Sequence, residues 1–210
     1  DFSISAPVGL SSVKAKVIGV IENQAPTKAL EFDLPVEQGE VRVEGDVCYL
    51  SLVERHRGTG AVVNGFVSGF GYTGSMAIAS SVAHDSHHMI VVGTNQEMMA
   101  SAANRLGEIG GGVSVWKDGS EVALVELPIA GLMSDSKASD VAVKAQAIVS
   151  AMIDCGCTLN NAYMQHTLLA LVVIPEISTI VPNPDMILPL ENDMFMFLPL
   201  IVVPTPGVNT

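Results

Sequence analysis

Residues 80–89, SSVAHDSHHM, place His84, His87 and His88 and the carboxyl of Asp85 within five positions, and these are three of the five histidines in the chain. Imidazoles titrate near neutrality, and a neighbouring carboxylate can fix an imidazole tautomer. Such a cluster therefore suits acid–base transfer, metal ligation or hydrogen bonding to a polar ligand. On a helix, the i, i+3, i+4 spacing would align the three rings on one face. The flanking stretches SMAIASSVA and HMIVVG read as strands instead, so the cluster is expected in a turn, where side chains splay unless a rigid scaffold converges them. A catalytic metal centre needs three nitrogen or oxygen ligands and one open position. His84, Asp85 and His87 have the right chemistry, but no H-x-H, H-E-x-x-H, or H-x-E with a distant P-C-x-x-C accompanies them, and His56 and His166 stand alone in sequence. Three readings stay open on the residues alone: an independent metal site, a contribution to a site shared with another domain, and a structural polar turn.

Other polar stretches invite plainer readings. ERHRGTG at 54–60 is the densest charge cluster, expected as a solvated strand end with local ion pairs, or as a place where Arg55 and Arg57 orient an anion or a neighbouring carboxylate. Ser134 and Asp135 precede a helical pattern and are expected to cap it. Cys155 and Cys157 follow a helix end and read as buried bystanders.

The elements that must carry these residues are legible from periodicity. Residues 13–21, VKAKVIGVI, alternate like a half-buried strand, and Val41, Val43, Val47 and Tyr49 continue that period. Glycines at 58, 60, 65, 69, 71 and 74 suit tight turns and closely packed strands. Thr94-Asn95-Gln96-Glu97 has the form of a capping box for a helix whose face is Met98, Ala102, Leu106 and Ile109, stopped by Gly110–Gly112. Asp118-Gly119 predicts a hairpin turn. A second helix is expected from about Ser136 to Cys155, with Val141, Ala145, Ile148, Val149 and Met152 on its apolar face. This mixture predicts an α/β (or α+β) fold: mixed β-sheet layers with at least two amphipathic helices packed on them. The whole chain is expected as one domain-sized unit, with any boundary near 58–60 marking off a small strand subdomain at 1–58.

Composition bounds the partners. The 210 residues are 49% hydrophobic and 15% charged, and ten Lys and Arg against 22 Asp and Glu give a net charge of −12. A surface that acidic repels phosphate backbones, which argues against a nucleic-acid polymer. No apolar run is long enough to span a bilayer, and prolines break the apolar tail after Met194. Three cysteines at no zinc or redox spacing fit a reducing cytoplasm. A chain opening DFSISAPVG, without Met, reads as part of a longer protein. The tail MFMFLPLIVVP is expected either to form a core strand or to lie against another chain.

The stretches ERHRGTG, GFVSGFGYTGSMAIASSVAHDSHHMIVVGTNQEMMASAANRLGEIGGGVSV and ELPIAGLMSD together resemble the C-terminal domain of bacterial and archaeal adenine deaminases of the amidohydrolase superfamily, from about Ser51 to about Pro175. The resemblance implies a parent enzyme that hydrolyses adenine to hypoxanthine and ammonia in purine salvage. It also implies that the chemistry resides in a metal-dependent barrel, with manganese or iron, that is absent from this chain, so no metal is expected on this chain alone. Expected partners are adenine, that barrel and further copies in a homo-oligomer. The resemblance favours the shared-site reading, in which Ser81 to His87 forms a loop at the barrel mouth. His84, Asp85 and His87 would then be the catalytic contributors, and Ser81 and Asp85 would contact substrate. The sequence departs from the family pattern at His88, where Asn is usual, and at Val172, where Pro is usual, and the resemblance ends near Ser178. An interaction or oligomerisation domain with a purely structural histidine turn is the alternative, and a free-standing metal-binding protein is a third.

Overall fold

A computed structural model of the chain describes residues 1–171 and the backbone of residues 203–204. Nine strands form one sheet in the order β3-β2-β1-β5-β4-β7-β6-β8-β9. They are β1 (Ser12–Gly19), β2 (Lys28–Glu37), β3 (Glu40–Val41), β4 (Val47–Val53), β5 (Val62–Ser68), β6 (Met76–Ser80), β7 (Met89–Gly93), β8 (Gly112–Lys117) and β9 (Ser120–Glu126). A short β10 (Val203–Pro204) adds to β1. The β1–β5 pair is parallel and the other pairs are antiparallel, so the sheet is mixed. β4 and β5 form a full hairpin across the glycines at 58 and 60.

Helices cover both faces, giving the expected α/β layering. On one face, α1 (Gln96–Ile109) buries Met98, Met99, Ala102 and Leu106 against Tyr49, Phe66, Ala77, Ala79 and Val91. On the other, α2 (Ala138–Asp154) and α3 (Ala162–Leu168) pack on Leu50, Leu52, Ile78, Ile90, Val92 and Val115. With both faces covered, alternate residues of each central strand enter different cores. Stretches such as MAIAS and MIVVG are therefore apolar at almost every position and wholly buried.

The Asp118-Gly119 hairpin forms as expected, with φ 49° and 83° at the two turn residues. Two caps differ from expectation. Asn95, not Thr94, caps α1 by accepting from the Met98 amide at 3.0 Å, while the Thr94 hydroxyl donates to Gly74 O and accepts from Met76 N, tying the helix entry to β6. α2 starts at Ala138 with no side-chain cap, and Ser134 instead accepts from the Ser136 amide within its own turn. Its N-terminal half stands away from the sheet: Val141 is half-buried, Ala145 is exposed, and only Ile148, Ala151 and Met152 are buried.

Two elements carried no readable period. β2 pairs with all eight residues of β1 but buries only Leu34, so its sequence shows no alternation. α3 is too short for helical periodicity to show. The apolar tail lies outside the described residues, apart from the backbone of β10. No helix among the described residues is long and apolar enough to cross a membrane.

Met99 is fully buried beneath α1, against Gly93, where a Cβ would come within 2.8 Å of Met99 Cγ and 2.7 Å of Met76 O. We expect Met99→Ala to lower stability by about 2–5 kcal/mol through the lost burial and residual cavity. Urea unfolding followed by circular dichroism measures the difference.

Candidate functional site

The site is built where β4 ends and β7 begins. These strands pair antiparallel with Val53 opposite Met89, so the residues just past β4 lie opposite those just before β7. Side chains continue the register after the backbone ladder stops. Arg55 Nε donates to His87 O at 2.6 Å, and His56 Nε2 lies 2.8 Å from Ser86 O. The His56 and His88 rings sit 4.9 Å apart, and those of His84 and His87 6.2 Å apart. Four histidines thus gather at one end of two central strands, including His56, which is remote in sequence.

Each flanking loop is fixed by its own hydrogen bonds. The Glu54 carboxylate accepts from the amides of His56, Arg57 and Thr59 and from the Thr59 hydroxyl, closing the turn after β4. These bonds, led by the Thr59 and Arg57 amides, pull its pKa down to about 2. The ion pairs expected in ERHRGTG are replaced by contacts to backbone: Glu54 holds amides and Arg55 holds carbonyls. In the histidine loop, His87 N donates to Ala83 O at 2.7 Å, and His84 N donates to Thr167 O at 3.2 Å, anchoring the loop to α3.

Ser81 is fully buried. Its hydroxyl accepts from Gly112 N at 2.7 Å and donates to Gly131 O at 2.6 Å, joining β6 to the start of β8 and to the loop after β9. Asp85 is exposed at the tip, with His84, Ser86 and His87 half-buried around it.

Burial, followed by the positive potential of His84 and Arg55, lowers the pKa of His87. Burial and His56 do the same for His88. Neither ring has a partner for its Nδ1 among the described residues. His166, fully buried on α3, is pushed down to about 4 by desolvation. His87 and His88 are thus biased toward the neutral imidazole at pH 7, beside one exposed carboxylate and one fixed guanidinium. Such groups can accept or donate a hydrogen bond or relay a proton.

They do not fit a metal ion: among the described residues no three His, Cys, Asp or Glu side chains are grouped to hold one. All three cysteines are free and buried, as their sequence context suggested, and burial raises their pKa values, that of Cys48 to about 12.

The architecture is that of a layered α/β domain with a polar cluster at the ends of two central strands. Comparison with known proteins identifies the family. The adenine deaminase C-terminal domain model matches residues 24–180, and the chain belongs to that family. The match reaches back through β2, ahead of the motifs that carried the resemblance. An adenine deaminase of Ruegeria pomeroyi is 69% identical over 84% of this chain, and one of Roseobacter denitrificans is 64% identical over 98% of it. A Moorella thermoacetica adenine deaminase is 44% identical over 84%. The chain spans only 30% to 33% of the length of these relatives.

The Glu54 turn makes a pH-dependent prediction. A carboxylate whose folded pKa lies below its ordinary value of 4.5 stabilises the fold fully above that value, and the contribution is lost as pH falls toward 2. We expect Glu54→Gln to lower the melting temperature at pH 7, with the gap to the parent protein closing between about pH 4.5 and 2. Thermal melts across that range test it. Ser81→Ala, which leaves a buried amide and carbonyl without their partner, should cost about 1–3 kcal/mol in the same assay.

Proposed function

We propose that this domain completes the substrate site of an adenine deaminase, closing over adenine as water adds at the purine C6 carbon and ammonia leaves to give hypoxanthine. The convergence of His56 with the loop that carries His84, Asp85 and His87, at the ends of two central strands of a domain of this family, is the observation that carries this reading. Asp85, exposed at the loop tip, is suited to accept a hydrogen bond from the purine. The imidazoles of His84 and His87 are suited to donate or accept one beside it. Ser81 serves by anchoring the loop, since its hydroxyl is engaged with backbone on both sides.

The metal ion implied by the resemblance, manganese or iron, belongs in this reading to a barrel domain elsewhere in the full-length protein, because the residues here do not fit one. The loop after β9 flanks the site with exposed Ile129 (44%) and Met133 (58%), an apolar rim suited to meet that domain. The setting we propose is a cytoplasmic, homo-oligomeric salvage enzyme. A purely associative role is the second reading, favoured by the exposed Val143 and Ile153 on α2.

Ammonia release from adenine separates the two. In the full-length protein, Asp85→Ala and His87→Ala should each reduce kcat by about 100-fold or more while leaving the melting temperature nearly unchanged. Full activity in both variants would assign the domain to association alone. The 210-residue chain by itself is expected to release no ammonia.

A further inference from the structure

Arg55 is half-buried between two loops that are distant in sequence. Its Nε donates to His87 O at 2.6 Å and its Nη2 donates to Ala130 O at 2.8 Å. The two residues whose carbonyls it takes both have left-handed backbones, with φ 52° at His87 and 56° at Ala130. A residue other than Gly, Asn or Asp resists that conformation and adopts it only where the surroundings impose it. The guanidinium also lies over Gly131, where a Cβ would come within 2.8 Å of Nη1 and 3.0 Å of Cζ. Gly131 in turn accepts the Ser81 hydroxyl through its carbonyl, so the loop after β9 is braced from both sides.

We propose that Arg55 is the positioning residue of this site, a two-pronged clamp that fixes the histidine loop to the loop after β9 and so sets where Asp85 and His87 point. This deepens the deaminase reading and rests on it for the chemistry, although the clamp itself does not. Arg55 reaches carbonyls rather than a ligand, so it acts through the loop. Lysine would keep the charge and most of the stem but not the planar fork that serves both carbonyls.

The test uses the full-length protein and two readouts. Amide hydrogen exchange by mass spectrometry reads the clamp alone. Arg55→Ala should speed exchange in segments 82–88 and 129–132 together by about tenfold or more, with α1 and β6 unchanged. Unchanged exchange in either segment overturns the clamp.

Turnover of adenine reads its consequence. Arg55→Ala and Arg55→Lys should both lose kcat by about 100-fold, a loss of the size that about 1 Å of misplacement produces. Millimolar ethylguanidinium should restore part of it to Arg55→Ala and none to Arg55→Lys, whose ammonium fills the slot. Gly131→Ala, which crowds the guanidinium, should show the same loss without rescue. Loosened loops with kcat within twofold of the parent would overturn the positioning role. An unmutated full-length protein that releases no ammonia from adenine would instead overturn the deaminase reading, while the exchange result would still decide the clamp.

Discussion

The pairing of β4 with β7 governs the site. Backbone hydrogen bonds stop at Val53 opposite Met89, but the register persists, so Arg55 meets His87 and His56 meets Ser86 across a gap with no ladder. Side chains alternate faces along a strand, and a slip of one residue would exchange the faces of every position in β7. Ile90 and Val92 would then leave one core, and Met89 and Val91 the other. Packing on both faces thus forbids the slip, and the cores formed by α1 and by α2 with α3 together hold the polar strand ends in place.

Charge at that end of the strands is taken up largely by backbone. The chain is strongly acidic, yet the Glu54 carboxylate beside the site is turned inward and held by amides of its own turn. The guanidinium of Arg55 is likewise satisfied by carbonyls. Asp85 is left as the outward-facing carboxylate beside imidazoles that desolvation holds neutral. In the proposed reading these groups would meet the hydrogen-bonding edges of a flat heterocycle.

Much of this architecture was readable from residue order, and the omissions have physical causes. The period of α1 and the Asp118-Gly119 turn were visible because each has one buried side or one obligatory backbone shape. Strand β2 was not, because an outer strand with almost every side chain in water carries no alternation. The histidine loop was visible by composition, but His56 and Arg55 joined it only through the register of two strands some forty positions apart, about the reach at which local pattern carries no signal. Reading ERHRGTG for ion pairs misjudged its chemistry. In tight turns, amides and carbonyls left over from a strand end compete for charged side chains, and here they win.

The clamp on the histidine loop grips main chain throughout: the carbonyls of His87 and Ala130, the amide and carbonyl bonded by Ser81, and the amides bonded by Glu54. A hold of that kind is blind to side-chain identity. Asp85, exposed at the loop's tip, sits outside these bonds, so its side chain can differ without altering the loop's path. Shape and chemistry are thereby inherited separately, and the loop can trial new functional groups during evolution while its scaffold stays fixed.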